Sequence, residues 1–337
     1  MTLKKMIFTF TLIIGTLISI SSYSWMGMWL GLEINLLSII PLMSNTNNPL
    51  ASEASMKYFI TQTLASLILL ASLVLMSINF NYIIYNFHLN LMFSSSLFVK
   101  MGAAPFHFWF PEIMEGLSWF NSFLMLTWQK IAPMTLISYS DFHNYNYLII
   151  IVIFSSMISG ILGMNQTNMR KILAYSSINH ISWMLASMLF FETIWIYYFI
   201  TYSIISLNII IILYKFNIFH MNQLFSTINN FPLIKFFFML NFMSLGGLPP
   251  FLGFLPKWLT IQILIKMELF SLSLIIIVMT LITLFFYMRI ITLGFMMNNS
   301  YNLMKKNSYM KQFNNIYLFN FIILMSLLLI TIFFNMY

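Results

Sequence analysis

Long runs of apolar residues, separated by short polar segments, fill the 337 residues of the chain. A helix that crosses a bilayer needs a run of about 17–25 such residues. Eleven spans of this kind are predicted, at residues 6–22, 25–43, 56–77, 88–110, 119–138, 146–163, 170–190, 193–214, 233–256, 270–294 and 316–335. The ninth span is interrupted and continues to about residue 265. The pattern therefore predicts an all-α polytopic membrane protein, with a single transmembrane domain over residues 1–337.

Basic residues give an independent check on the number of spans, because the loops on one side of a membrane collect lysine and arginine. If the N-terminus lies on that side and the spans alternate, only Lys266 falls on the opposite side. Three further lysines, Lys100, Lys130 and Lys257, lie inside spans. The other basic residues all fall on the N-terminal side: Lys4, Lys5, Lys57, Arg170, Lys171, Lys215, Lys235, Arg289, Lys305, Lys306 and Lys311. This asymmetry supports eleven spans and places the two termini on opposite sides of the membrane.

Composition excludes several classes of protein. With 61% hydrophobic and 7% charged residues, the chain differs from soluble domains, in which about a quarter of residues are charged. The formal net charge of +8 follows from membrane topology, so nucleic acid is not expected as a partner. The chain contains no cysteine, which excludes disulfides, Fe–S clusters and thiolate metal sites within it. Lys4-Lys5 precede an apolar run that resembles a signal peptide, but no cleavage site follows, so we interpret the run as a span.

Four charged residues interrupt the apolar runs: Glu33, Lys100, Lys130 and Lys257. A charged side chain at the bilayer centre costs about 2.5–3.5 kcal/mol on insertion scales, and it usually faces the protein interior on a path for ions or protons. A buried Glu–Lys pair is bistable, since burial favours the neutral forms and pairing favours the charged forms. Each residue can instead form a structural interhelical bond, and Lys257, nearest to a boundary, can extend its amine to the interface. We expect all four to lie near one mid-membrane level as proton-transfer residues, joined by polar residues or water.

The span that carries Lys100 is predicted to break at Gly102-Ala-Ala-Pro105. Because Pro105 has no N–H, the carbonyl of Met101 loses its helical partner. Irregular backbone at this depth is tolerated only where it is buried in protein or lines a watered cavity. A buried amine beside a broken helix is typical of a proton-handling site.

The same glycine and proline pattern recurs 145 residues later in the chain. Without a gap, Gly102, Pro105-Phe106 and Pro111 correspond to Gly247, Pro250-Phe251 and Pro256. Interrupted helices at corresponding places in two halves are typical of repeat-built carriers, whose transport sites they form. The two broken helices are five spans apart, and an odd shift reverses direction across the membrane. We therefore predict two inverted-topology repeats, about residues 6–138 and 146–294, followed by a C-terminal helix at about 316–335.

Histidine and glutamate residues near the spans give weaker signals. His107 follows the first break and His180 lies within a span; either can relay protons or donate an interhelical hydrogen bond. Glu112 and Glu115 follow the broken helix, where they can assist proton entry or form a solvated helix end. The remaining histidines are predicted at interfaces: His88, His143 and His220. The sequence has no nucleotide-binding glycine loop, no nucleophile motif and no histidine cluster spaced for haem or metal.

Five segments carry a resemblance to a known family. They are GLEIN around Glu33, FVKMGAAPFHFWFPE around Lys100, LTWQKIAP around Lys130, NQTNMRKILAYSSINHISW around His180 and SLGGLPPFLGFLPKW around Lys257. Together they resemble the NADH-ubiquinone oxidoreductase chain 2 family of animal mitochondria, and the composition resembles that of arthropod members. The resemblance covers essentially the whole chain. More broadly, the chain is similar to the antiporter-like subunits of respiratory complex I.

This resemblance implies a core membrane subunit of complex I in the inner mitochondrial membrane, with its N-terminus in the matrix and its C-terminus in the intermembrane space. The implied role is proton translocation, coupled to electron transfer from NADH to ubiquinone in other subunits. NADH, FMN, Fe–S clusters and ubiquinone would bind those subunits, and no cofactor is expected in this chain. The implied partners are other membrane-arm subunits, including further antiporter-like subunits, and membrane lipids.

The resemblance also implies roles for individual residues. Glu33 and Lys100 would be the interacting pair of the first half. Lys130 would be the central lysine, and Lys257 would be the terminal lysine of the second half. His180 matches a histidine of the family's motif.

Two functions of other classes compete with this one. A membrane scaffold, retained only to join neighbouring subunits, has no need of four buried charges. A free-standing cation/proton antiporter is disfavoured by the lack of soluble regulatory regions. Whether the chain purifies within a large NADH-oxidising assembly or alone distinguishes the alternatives.

Overall fold

The computed structural model describes residues 3–45, 48–78, 83–140, 145–228 and 231–296, together with residues 317, 318, 320–322, 324 and 326. Regular structure within these residues is helical, apart from one isolated β-bridge between Asn168 and His220. The chain divides into two compact units, Met1–Ser155 and Ser156–Tyr337. The division falls inside one helix, α8 (Tyr145–Met164).

The first unit contains seven helices in its described residues, before the start of α8. They are α1 (Leu3–Ser21), α2 (Trp25–Met43), α3 (Pro49–Ile78), α4 (Ile83–Met101), α5 (Trp109–Gly116), α6 (Trp119–Leu126) and α7 (Trp128–Tyr139). Glycines bring α1 and α2 together, because a Cβ added at Gly31 would lie 2.8 Å from the carbonyl oxygen of Gly15. Close approach at small residues is the usual means of helix association in lipid. Helix α3 packs against α4 and α5, while α7 packs against α1, α2 and α4.

The second unit is built around a buried helix, α9 (Met169–Met188). Every residue of α9 except Arg170 and Lys171 is buried. Around it lie α10 (Glu192–Phe216), α13 (Phe254–Lys266) and α14 (Phe270–Met296), while α11 (Met221–Ile228) and α12 (Pro232–Gly246) complete the described helices of this unit. Polar residues of α9 therefore meet other helices and not lipid.

Within the described residues, six helices are long and apolar enough to cross a membrane: Leu3–Ser21, Trp25–Met43, Pro49–Ile78, Tyr145–Met164, Glu192–Phe216 and Phe270–Phe295. Three other predicted spans are broken into pairs, α4–α5, α6–α7 and α12–α13, and α9 carries many polar residues. The prediction of an all-helical membrane protein is confirmed. The number of eleven spans stays a prediction, and most of the eleventh, 316–335, lies outside the described residues.

Three boundaries differ from those predicted. Helix α3 begins at Pro49 and not at residue 56, because Asn48 accepts a hydrogen bond from the N–H of Leu50 (3.2 Å) and proline suits the first turn of a helix. The polar stretch 215–232 contains α11, whose start is fixed by the Gln223 side chain, which accepts from the backbone of Phe219 (2.9 Å). The predicted span 119–138 is interrupted at Thr127.

Candidate functional site

Two helices, α4 and α12, end with the same backbone geometry 145 residues apart in the chain. Each ends before a glycine of positive φ, Gly102 at 72° and Gly247 at 78°. The N–H groups of Gly102 and Ala103 bond to Val99 and Phe98, and the corresponding bonds follow Gly247 in the second unit. This is the Schellman ending, in which glycine adopts the left-handed conformation without the penalty that a Cβ brings. The first break therefore begins at Gly102, three residues earlier than the predicted cause, Pro105.

The end of α4 leaves backbone carbonyls that side chains satisfy. The indole Nε1 of Trp109 donates to the carbonyl of Val99 (3.1 Å), and Nε2 of Gln62 donates to the carbonyl of Lys100 (3.5 Å). The Lys100 side chain is 7% exposed. Neutral donors thus hold this helix end, and the amine of Lys100 is available to other groups.

Glu33 and Lys100 interact electrostatically in the first unit. The carboxylate of Glu33, on α2, lies within electrostatic range of the Lys100 amine and of the Tyr58 hydroxyl. Oε1 of Glu33 is buried, and it has no hydrogen-bond partner among the described residues. No ion pair joins the two side chains in the described residues, so their direct partnership stays a prediction.

A small polar cavity adjoins Lys100. Its volume is about 10 Å³, which is about the space that one water molecule needs. The Tyr58 hydroxyl donates to Oε1 of Gln129 (3.3 Å) beside it. The lining residues are Leu32, Asn35, Leu36, Tyr58, Gln62, Lys100, Gln129 and Pro133. The cavity gives Lys100 a polar environment within an apolar unit.

Lys130 lies on α7, three residues after the interruption at Thr127. The Thr127 hydroxyl donates to the carbonyl of Phe123 (2.8 Å), and the backbone N–H of Lys130 bonds to Thr127 (3.1 Å). The lysine is 1% exposed, with Nζ 5.4 Å from the centre of the Phe110 ring. A cation over an aromatic face is stabilised, the more so when it is shielded from water. Its neighbours Gln129 and Pro133 line the polar cavity, and Lys130 does not.

Lys257 is buried in α13, with 6% exposure. Its Nζ donates to the carbonyls of Gly246 (2.8 Å) and Leu245 (3.2 Å), the last two residues of α12. It also lies 5.9 Å from the centre of the Trp183 ring of α9. The C-terminus of a helix attracts a positive charge because its carbonyls carry the negative end of the helix dipole. The amine is therefore directed into the protein and not extended to an interface.

His180 lies near the middle of α9 and is 4% exposed. Its Nδ1 lies 2.8 Å from the hydroxyl of Tyr198 on α10. A second cavity of about 10 Å³ lies beside it, lined by His180, Tyr198, Thr201, Tyr202, Ile205, Ser244, Leu245, Gly253 and Pro256. The lining includes Leu245, whose carbonyl accepts from Lys257, so this cavity lies between the histidine and the end of α12.

The other predicted residues have varied environments. His107 lies in the first break, 2% exposed, and its Nδ1 donates to the carbonyl of Pro105 (3.3 Å). Glu112 is exposed and forms an ion pair with Lys57 (2.8 Å); Glu115 is half-buried. Two of the histidines predicted at interfaces, His88 and His220, are exposed, whereas His143 lies outside the described residues.

Neutral polar residues form contacts that sequence reasoning missed. Asn35, Tyr58, Gln62 and Gln129 surround Lys100, and Tyr198 bonds to His180. A buried amide chain also runs through the second unit, from Asn208 to Asn241 (3.1 Å) and from Asn241 to Asn320 (2.7 Å). Sequence position could have indicated these residues. Asn35 follows Glu33 by two residues, and Gln129 directly precedes Lys130. Tyr58 and Gln62 are spaced i, i+4, which places them on one helix face. Lys235, predicted on the N-terminal side at the end of the ninth span, is only 9% exposed.

Acidic residues and histidines do not converge on a metal site in the described part of the chain, where no group of three or more could hold an ion. Each unit instead contains buried lysine and histidine side chains with polar residues near them, which are groups that exchange protons. Broken helices with buried lysines, in an all-helical chain with several membrane-length apolar helices, define an antiporter-like membrane protein.

Solved structures share this fold. The chain matches a chain of respiratory complex I from Thermus thermophilus with a TM-score of 0.84 and 19% identity, over 96% of this chain and 77% of that one. An archaeal membrane-bound sulfane sulfur reductase matches with a TM-score of 0.82 and 16% identity, over 96% and 72%. The Mrp complex of Dietzia sp. matches with a TM-score of 0.72 and 18% identity, over 85% and 59%.

Sequence comparison identifies the family. Residues 22–283 match the model described as "NADH:quinone oxidoreductase/Mrp antiporter, TM", and the chain belongs to this family. It is 49% identical over 330 residues to NADH-ubiquinone oxidoreductase chain 2 of Anopheles gambiae, covering 96% of each chain. The corresponding protein of Aedes aegypti is 50% identical over 333 residues, 97% of this chain and 96% of that one. The family resemblance seen in the sequence motifs is confirmed, and both of these relatives are insect proteins.

Proposed function

We propose that this chain is a core membrane subunit of NADH-ubiquinone oxidoreductase, respiratory complex I, and contributes to proton translocation across the inner mitochondrial membrane. It serves as a subunit of an H⁺-translocating NADH:ubiquinone reductase, and the redox chemistry takes place in other subunits. The observation that carries the proposal is the burial of three lysines, Lys100, Lys130 and Lys257, at 7%, 1% and 6% exposure within apolar helices. Family membership supplies the coupled reaction, since the relatives of similar length are named for NADH and ubiquinone.

In the first unit, Glu33 and Lys100 act as an ion pair that opens and closes. While both are charged, they attract each other at short range in a poorly screened setting. Transfer of a proton between them, or to a neighbour, removes that attraction. The polar cavity beside Lys100 has room for one water, which can carry the proton. Lys130 receives and releases a proton as the central lysine, and the Phe110 ring stabilises its charged form.

In the second unit, Lys257 is the terminal lysine. Its charged form is held by the carbonyls of Leu245 and Gly246, and loss of the proton weakens that hold because the charge–dipole attraction disappears. His180 is a relay candidate beside the second cavity. His107, buried in the first break, is a further relay candidate. Histidine suits this role because it gains and loses protons near physiological pH.

The proposal extends to the surroundings of the chain. NADH, FMN, Fe–S clusters and ubiquinone are bound by other subunits of the complex, and this chain binds none of them. Its partners are the other membrane-arm subunits, including further antiporter-like subunits, together with membrane lipids. The asymmetry of basic residues supports an N-terminus in the matrix and a C-terminus in the intermembrane space.

The matching breaks support two inverted repeats within eleven spans. Both helices end in the same hydrogen-bond pattern, 145 residues apart, as expected of two halves derived from one ancestral unit. The halves cover about residues 6–138 and 146–294, and a C-terminal helix follows at about 316–335.

Two alternatives make different predictions. A membrane scaffold retains function when its buried lysines are replaced by apolar residues of similar shape, since such replacements are often neutral or stabilising. A free-standing cation/proton antiporter is active without an NADH-oxidising assembly. Purification of the chain within such an assembly excludes the second alternative.

Substitution of Lys130 tests the mechanism. If the lysine must release a proton, Lys130→Arg fails, because a guanidinium retains its proton; Lys130→Met, which keeps the apolar stem, fails as well. The measurement is protons translocated per NADH oxidised in membranes that contain the assembled complex. Lys266→Met, at an exposed lysine, is the matched control and should behave as wild type. Normal pumping by Lys130→Met would rule out an obligatory protonation step at Lys130, and normal pumping by Lys130→Arg alone would favour a fixed charge.

A further inference from the structure

One hydrogen bond in the second unit ties a candidate proton carrier to a neutral residue of another helix. Nδ1 of His180, on α9, lies 2.8 Å from the hydroxyl of Tyr198, on α10. The two side chains are 4% and 1% exposed, so bulk water does not compete for the bond. We propose that Tyr198 is a positioning residue for His180, and that its hydroxyl fixes the orientation of the imidazole in both protonation states.

The geometry around the imidazole leaves it little freedom to turn. Tyr202, one helical turn after Tyr198 on the same face of α10, places its ring centre 4.8 Å from that of His180. The ring of Tyr198 lies 5.8 Å away on the same measure. Two aromatic rings therefore confine the imidazole, and the Tyr198 hydroxyl selects which of its nitrogens faces α10.

A hydroxyl suits this place because it both donates and accepts. A neutral imidazole has one nitrogen that donates and one that accepts, whereas both nitrogens of imidazolium donate. The Tyr198 hydroxyl donates to Nδ1 when that nitrogen carries no proton, and it accepts from Nδ1 when a proton is added there. The O–H turns and the rings stay in place. A phenylalanine at position 198 would fill the same space but offer neither interaction.

Polar groups of several neighbouring helices lie in this part of the second unit. Helix α10 supplies Tyr198, Thr201 and Tyr202, and α12 supplies Ser244, all of which line the cavity beside His180. Helix α13 supplies Lys257, whose amine lies 5.9 Å from the Trp183 ring of α9, and Tyr287 of α14 interacts electrostatically with Tyr198. Tyr198 bonds directly to Nδ1 of His180, and this bond sets the direction of that nitrogen.

The neighbouring residue Tyr197 is a matched control for Tyr198, because the two adjacent tyrosines of α10 differ in burial. Tyr197 is 61% exposed, whereas Tyr198 is 1% exposed. The inference rests on the proposed function, since it assigns Tyr198 to His180 as a proton carrier. Tyr198→Phe, Tyr197→Phe and His180→Gln are therefore compared in membranes that contain the assembled complex. Protons translocated per NADH oxidised are measured across the pH range in which histidine titrates.

We expect Tyr198→Phe to lower the proton yield about 2- to 10-fold, the range for one hydrogen bond, and to displace its pH profile. Tyr197→Phe should keep the wild-type profile. Because the yield is a ratio per NADH oxidised, lower assembly does not change it. An unchanged yield and profile in Tyr198→Phe would overturn the inference. If His180→Gln is impaired while Tyr198→Phe is normal, only the positioning role fails; if both are normal, the relay role proposed for His180 fails as well.

Discussion

The ends of α4 and α12 share one backbone conformation and differ in the side chains that satisfy it. At the end of α4, the Trp109 indole and the Gln62 amide donate to the carbonyls of Val99 and Lys100. At the end of α12, the ammonium of Lys257 donates to the carbonyls of Leu245 and Gly246. Neutral side chains donate to the first helix end at any pH. At the second helix end the attraction is strongest while the Lys257 amine carries its positive charge.

Lys100 and Lys257 also occupy different positions relative to the two helix breaks. Lys100 precedes the first break, and the residue 145 positions later is Leu245. Lys257 follows the second break, and its counterpart in the first is Glu112, which is exposed and paired with Lys57. The buried lysine therefore precedes the break in the first unit and follows the break in the second. In the first unit the lysine interacts electrostatically with the Glu33 carboxylate, and in the second it donates to carbonyls at the helix end.

The loops that follow the two helix ends also differ, in how closely they pack against those ends. Gly253 in the second break corresponds to Phe108 in the first, which is 71% exposed. A Cβ added at Gly253 would overlap the carbonyl oxygen of Ser244. The second loop therefore lies directly against its own helix end, where the lysine is held, and it requires glycine at this point.

Gly253→Ala should have the largest effect. A backbone atom cannot move aside by changing rotamer, and overpacking of a core costs about 1–3 kcal/mol, so we expect the amount of assembled complex to fall about tenfold. Phe108→Ala, at the corresponding exposed position, is the control and should assemble normally. Native gel electrophoresis with an NADH-oxidation stain measures both variants. Equal assembly of the two would mean that the second loop does not depend on this close approach.

Gly247→Ala and Gly102→Ala should separate backbone strain from displacement of the lysine. Both place alanine in the left-handed region, at a penalty of about 1–2 kcal/mol. At Gly247 the new Cβ would lie 2.7 Å from Cδ and 2.9 Å from Nζ of Lys257, whereas at Gly102 the nearest atom is Cβ of Phe110 at 3.1 Å. We expect both variants to lose stability and only Gly247→Ala to lose most of its proton yield per NADH. Matching losses of proton yield would show that displacement of Lys257 is not the cause.

Lys57→Gln should have the smallest effect. Lys57 bridges Glu53 (3.0 Å) and Glu112 (2.8 Å), and all three side chains are substantially exposed. Exposed ion pairs contribute little to stability and are screened by salt, so proton yield and assembly should match wild type. Lys257→Met, at the position in the second break that corresponds to Glu112, is the comparison and should lose its proton yield. A loss in Lys57→Gln as large as that in Lys257→Met would assign the exposed acidic group to proton entry.

Sequence reasoning located both breaks, because glycine and proline restrict the backbone within a few residues of themselves. It did not locate the interruption at Thr127, since threonine is common within helices and the Thr127 hydroxyl bonds to the carbonyl of Phe123, four residues earlier. Sequence reasoning placed Lys257 near a membrane boundary, because hydropathy depends on the residues of one helix. It does not show that a neighbouring helix buries the side chain. The amine is buried against α12.

The sequence by itself determined the helical membrane class, the buried charges and the two glycine-terminated breaks, because hydropathy and backbone preference are properties of neighbouring residues. Only the tertiary structure decided which groups meet. Gln62 reaches Lys100, Tyr58 reaches Gln129 and Asn208 reaches Asn241, each across a gap between helices. Neutral polar residues have many possible partners within apolar helices, and the rotation and depth of each packed helix select one of them. The same selection gives one helix end neutral donors and the other a lysine.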